Sequence, residues 1–138
     1  MTTTRVAFWH IPFWIAGIAF LHFVELFSGV YDIEMRIGHE WFDNLLHALV
    51  GVVFAIFWLS FLHMQKKKYS KTFTAISTLV FVLVMAFAWE LLELALLIFA
   101  PAYAYSFNIF SPSITEASFD ILSNLVGAIA LMLWERRS

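Results

Sequence analysis

Phe87-Ala88-Trp89-Glu90-Leu91-Leu92-Glu93-Leu94 places two carboxylates three residues apart inside an apolar run that extends from Phe73 to Ala100. A helix needs roughly 20 apolar residues to cross the hydrocarbon of a bilayer, and this run exceeds that length. At about 1.5 Å per residue, Glu93 lies about 10 Å and Glu90 about 15 Å below the end of the run at Ala100. Both acids are therefore expected inside the membrane, where an ionisable group is costly and faces a partner or a water-filled cavity.

The composition agrees with that reading. Of 138 residues, 62% are hydrophobic, 19% aromatic and only 13% charged, and the mean hydropathy of +0.85 lies outside the range of soluble globular domains. Four apolar segments, at about 8–28, 41–64, 72–100 and 114–135, predict an all-α integral membrane four-helix bundle forming a single transmembrane domain over 1–138. The first segment carries His22 and Glu25 and lacks a small-residue cleavage signal, so we read it as a retained span. Pro12 sits in its opening turn and Ser28-Gly29 at its close. The chain has no cysteine, which excludes disulfides, thiolate nucleophiles and thiolate metal sites. No phosphate-binding glycine loop and no basic-aromatic patch is present, so no nucleic-acid partner is expected.

Charge sets the orientation. Arg5, Lys66, Lys67, Lys68, Lys71, Arg136 and Arg137 fall on one side of the predicted spans and Arg36 alone on the other, which predicts that both termini are cytoplasmic. The connection from Val30 to Glu40 carries Tyr31, Ile33, Met35 and Ile37 and is expected to lie on the interface, with Trp41-Phe42 at headgroup level. The connection from Pro101 to Ser113 lacks Lys and Arg and is aromatic-rich, as expected for the extracytoplasmic side. Ser113 followed by Glu116 reads as a capping box that starts the last helix near Ile114.

With the orientation set, the intramembrane polar residues fall at one depth. Counted from the extracytoplasmic end of each helix, His22, His47 and Glu93 lie about 10 Å in and Asp120 about 9 Å in. Each has a second polar residue three or four positions away on the same face: His22 with Glu25, Asp43 with His47, Glu90 with Glu93, and Asp120 with Asn124. Histidine and carboxylate pairs from facing helices are how bundle cores hold divalent ions. The predicted metal ligands are thus His22, Glu25, Asp43, His47, Glu90, Glu93, Asp120 and Asn124, for zinc or for iron or manganese. The competing reading is a hydrogen-bonded network of neutral acids, His and Asn that fastens the helices, worth about 0.6 to 2 kcal/mol per contact. His10, His63, His39 and Glu40 read as interfacial or solvated residues.

Asp43-x-x-x-His47, Trp89-Glu90-x-x-Glu93 and Phe119-Asp120-x-x-x-Asn124-x-x-Gly127-Ala128 resemble the small polytopic proteins grouped as VanZ-like, and a related bacterial inner-membrane family exemplified by YjdF. The similarity covers roughly residues 41 to 135 and implies a multi-pass protein of a prokaryotic inner membrane with a link to the cell envelope. As an enzyme, such a protein would be a metal-dependent membrane hydrolase or transferase acting on a lipid or envelope intermediate, with Glu90 or Glu93 as general base. Two further readings stay open. One is a non-catalytic accessory subunit, with membrane-protein partners or further copies of itself docked on its aromatic lipid face. The other is ion or proton conduction, against which Val52 to Leu59 and Val80 to Ala86 offer no polar stepping stones.

The orientation is directly testable. A cysteine introduced as Lys67→Cys should resist a membrane-impermeant thiol reagent on intact cells, and one introduced as Tyr105→Cys should react. The opposite pattern would place the polar layer in the cytoplasmic leaflet.

Overall fold

The computed structural model describes residues 11–28, 41–106 and 113–137, and every element among them is a helix. These are α1 (Ile11–Ser28), α2 (Trp41–Met64), α3 (Lys71–Phe99), α4 (Pro101–Ser106) and α5 (Ile114–Arg137). The Val30 to Glu40 connection, His10, His39 and Glu40 lie outside the described residues, as do Phe107 and Phe110 of the later connection.

Local chemistry explains the helix ends. The Ser70 hydroxyl accepts the Phe73 amide at 3.1 Å from an extended backbone, which caps α3. Ser113 and Glu116 form the capping box reciprocally: the Ser113 amide donates to Glu116 Oε2 at 2.8 Å, and the Glu116 amide to Ser113 Oγ at 3.0 Å. After α2, Lys66 adopts a φ of 53° and its amide reaches the His63 carbonyl at 3.2 Å, a left-handed stop that glycine usually supplies. The connection after Ala100 is not wholly irregular, because Pro101 opens the short α4, where its missing N–H costs nothing.

That left-handed stop turns α2 and α3 into an antiparallel hairpin. Trp58 Nε1 donates to Ser77 Oγ at 3.1 Å, and the Phe81 ring stacks on Trp58 and Phe57 with centroids 4.7 and 5.9 Å apart. α5 packs most extensively on α2 and also against α3. Asn44 meets Ser123 near the start of α2 and α5, and Ala55 clusters with Ala128 further along both, so these two helices run parallel. Ala55, Val82 and Ala128, one residue from each helix, form the fully buried apolar centre.

Two glycines let α2 and α5 approach closely. A Cβ built on Gly51 would run into the Asn124 backbone carbonyl, and one on Gly127 into that of Ala48. Lipid tails are as apolar as leucine, so helices in a membrane associate through such close backbone packing rather than through hydrophobic exclusion. Large apolar side chains accordingly face outward, among them Phe20, Val84, Phe87, Ile98 and Trp134, a surface suited to lipid contact.

α2, α3 and the Ile114–Glu135 stretch of α5 are long and apolar enough to cross a membrane, whereas the apolar Ile11–Val24 stretch of α1 is shorter. The backbone of α1 approaches α2 but not α3 or α5. The arrangement is thus a three-helix core with α1 laid against one of its members.

Overpacking a close contact typically costs about 1 to 3 kcal/mol. Gly51→Val and Gly127→Val should each destabilise the protein by that amount or more in detergent, read as a lowered midpoint of thermal unfolding. Gly17→Ala in α1 meets nothing within 4 Å and should leave the midpoint unchanged or slightly raised.

Candidate metal centre

The first two turns of α2 set Asp43, Asn44 and His47 on one face, because residues three and four apart on a helix are neighbours. On α5 the same spacing aligns Asp120, Ser123 and Asn124. The parallel packing of these helices brings the two faces together. His47 Nε2 lies 3.7 Å from Asp43 Oδ2 and 3.8 Å from Asp120 Oδ1. One ligand atom from each of Asp43, His47 and Asp120 lies within 4.8 Å of the other two, a group able to hold a metal ion. His47 and Asp120 are buried and Asp43 is half-buried.

The opposite ring nitrogen is also occupied. Asn124 Nδ2 is 3.1 Å from His47 Nδ1 and donates to the Asp120 carbonyl at 2.9 Å. With that amide donating to Nδ1, the single proton of a neutral imidazole sits on Nε2, between two carboxylates. Asn124 is 2% exposed and its Oδ1 has no hydrogen-bond partner. Beside it, Ser123 Oγ donates to Asn44 Oδ1 at 2.8 Å and ties α5 to α2 again.

From α3, the antiparallel register set by Trp58 with Ser77 and by Ala55 with Val82 carries Glu90 to the level of His47. Glu90 is 9% exposed, its Oε1 is buried without a hydrogen-bond partner, and the carboxylates of Glu93 and Asp120 are close enough to act on it electrostatically. Buried polar atoms without partners are few in native proteins and call for an explanation. Glu93 is only half-buried, and its Oε1 accepts a hydrogen bond from Trp89 Nε1 at 2.7 Å. His22 of α1 is the histidine within electrostatic reach of Glu93.

The eight residues picked out by spacing therefore divide. Asp43, His47, Asp120 and Asn124 come together, with Glu90 level with them from the third helix. Glu93 and His22 form a neighbouring pair, and Glu25 lies in α1 with its side chain outside the described ones. Counting from helix ends matched Glu93 to the depth of Asp120; Glu90 is the glutamate on which Asp120 acts electrostatically. Spacing did not single out Asn44 and Ser123, although each sits three residues from a marked neighbour, His47 and Asp120. Trp89 orients Glu93 through its indole N–H. Two apolar grooves, one lined by Phe13, Trp14 and Leu49 and one by Ile114, Ser118 and Phe119, do not include the cluster.

The family model described as predicted membrane protein (DUF2238) matches residues 3–138, and the chain belongs to that family. No curated protein and no solved structure matches the chain. The protein is thus a membrane protein with helical spans and a His/Asp group at metal-ligand distances.

Interhelical polar contacts in membranes average about 0.6 kcal/mol and reach about 1.7 kcal/mol. A double-mutant cycle of His47→Ala with Asn124→Ala should give a coupling energy within that range in reversible unfolding. Pairing His47→Ala with Ser118→Ala, whose hydroxyl bonds only the Ile114 carbonyl of its own helix, should give additive losses.

Proposed function

We propose that this protein binds a divalent cation between α2 and α5 through Asp43, His47 and Asp120, in the extracytoplasmic half of a prokaryotic inner membrane. The Asp43–His47–Asp120 cluster carries the reading, since three ligating side chains from two helices converge there. The separations of 3.7 and 3.8 Å around Nε2 must close by a few tenths of an ångström to reach the roughly 3.3 Å between ligands in a tetrahedral zinc site. The cation replaces the Nε2 proton. The ring proton then moves to Nδ1, and the Asn124 amide turns so that Oδ1 accepts it. That turn gives the buried, unpartnered Oδ1 a partner at the expense of the bond to the Asp120 carbonyl.

In this reading α1 completes a four-span topology with both termini cytoplasmic, as the Lys/Arg asymmetry favours. The ion faces the outer leaflet, where it polarises a phosphoryl or acyl oxygen of a lipid or envelope intermediate or activates a water, with Glu90 or Glu93 taking the proton. The VanZ-like and YjdF-like resemblance of the Asp43, Glu90 and Asp120 motifs points to the same envelope setting. Conduction is disfavoured, because Ala55, Val82 and Ala128 close the bundle centre below the cluster with packed apolar side chains.

One observation favours a second reading, an accessory protein whose polar layer only fastens helices. In the arrangement with Asn124 Nδ2 donating to Nδ1, the Nε2 proton already sits between two carboxylates and needs no ion. Metal analysis separates the two. Detergent-purified protein exchanged into trace-metal-free buffer should retain about one zinc or manganese per chain, and His47→Ala and Asp120→Asn should each lower retention tenfold or more. Chelation should lower the thermal unfolding midpoint of the wild type and leave that of His47→Ala unchanged. Metal-free wild-type protein with a chelator-insensitive midpoint would leave the helix-fastening reading standing.

A further inference from the structure

The turn that closes the α2–α3 hairpin gathers charge of one sign. Lys66, Lys67, Lys68 and Lys71 fall within a few residues of one another, and no acid occurs between Gln65 and Phe73. All four lysines are exposed, and among the described residues no ion pair engages them. The reversal is tight, because Lys66 is left-handed at a φ of 53° and the Ser70 cap starts α3 soon after. The half-buried Tyr69 stacks on Phe73 with ring centroids 5.0 Å apart, which ties the turn to the start of α3. Packed helices lie about 8 to 10 Å apart, and the Debye length at physiological ionic strength is about 8 Å. Charges on a turn that joins two such helices therefore act together.

α5 adds to the same end of the bundle. Ala55 of α2 packs with Ala128 of α5, so the parallel run of these helices brings Arg136 and Arg137 to the level at which α2 ends. Among the described residues Glu135 is the one acid at this end. Beside the lysines, the same helices expose apolar side chains: Phe61 and Met64 where α2 ends, Phe73 and Ile76 where α3 begins. Both helices are long and apolar enough to cross a membrane, which sets the lysines where hydrocarbon gives way to headgroups. A soluble polyanion would meet the charge and leave the apolar flank unused. A phosphate carried on apolar tails meets both.

We propose that this end of the bundle binds an anionic phospholipid, with its phosphate among Lys66, Lys67, Lys68 and Lys71 and its acyl chains along Met64, Phe73 and Ile76. The proposal is independent of the cation reading, whose ligands stand at the start of α2 rather than at its end. Each lysine beside a span strengthens the hold on an acidic headgroup about fivefold, or about 1 kcal/mol. A cluster of four thus goes beyond setting the orientation of the chain and retains one class of lipid at the turn. The bound headgroup offsets the mutual repulsion of the lysines and links the end of α2 to the start of α3.

The test is native mass spectrometry of the full chain in neutral detergent, titrated with phosphatidylglycerol and with phosphatidylcholine of the same acyl chains. Wild-type protein should bind phosphatidylglycerol about tenfold or more tightly than phosphatidylcholine. That preference should shrink as ammonium acetate rises from about 0.1 to about 1 M, where the Debye length falls from about 10 to about 3 Å. Lys67→Gln and Lys68→Gln should each weaken phosphatidylglycerol about fivefold and leave phosphatidylcholine unchanged. Replacing all four lysines by glutamine should abolish the preference, whereas replacing all four by arginine should keep it, which separates loss of charge from loss of fold. Equal affinity for the two lipids in the wild type, or a preference that survives in the glutamine variant, would overturn the proposal. Competition by glycerol 1-phosphate as strong as that by phosphatidylglycerol would overturn the lipid assignment in favour of a soluble phosphate.

Discussion

The close approach of α2 and α5 at Gly51 and Gly127 is the contact on which the polar cluster depends. Each glycine faces a carbonyl of the other helix at a distance that leaves no room for a Cβ. Gly51 meets the backbone of Asn124, the residue whose side chain contacts His47 one turn earlier on α2. Moving the helices apart to admit a methyl group would separate His47 from both Asn124 and Asp120. In lipid, where apolar surface gains little by leaving its surroundings, this backbone contact and the side-chain bonds it permits hold the pair together.

A buried carboxylate must be matched by a proton, a hydrogen-bond donor or a cation. The cluster sets His47 Nε2 between the carboxylates of Asp43 and Asp120. Glu90, with one oxygen buried and without a hydrogen-bond partner, comes under the same demand. The same demand explains where the polar groups stop. Toward the other end of the bundle, Ala55, Val82 and Ala128 meet in a packed centre, and nearer the lysine-rich turn α2 and α3 are joined by the uncharged bond from Trp58 to Ser77.

The outside of the bundle follows the same solvent logic in reverse. Phe20, Val84, Phe87 and Ile98 are exposed while Ala55, Val82 and Ala128 sit fully buried at the centre, the distribution expected when the surrounding medium is hydrocarbon. α1 shares this apolar exterior, yet among the described helices its backbone approaches α2 alone, so its place depends on less backbone packing than that of the other long helices. His22 is the polar feature that relates it to α3 across the intervening space.

The helical class, the long apolar spans and the capping box at Ser113 were legible from the amino-acid sequence because each rests on local pattern: run length, turn chemistry and charge placement. The same-face pairing of Asp43 with His47 and of Asp120 with Asn124 was legible too, since helix geometry alone puts residues three and four apart together. Spacing within one helix cannot say how neighbouring helices are registered. Counting from the ends of the apolar runs singled out Glu93, whereas the contacts of Trp58 with Ser77 and of Ala55 with Val82 are what bring Glu90 level with His47, and Trp89 bonds Glu93. The roles of Asn44 and Ser123 likewise appeared only when α2 and α5 met. Sequence by itself determined which residues share a helix face; tertiary structure decided which faces touch, because that depends on where glycines let two backbones close.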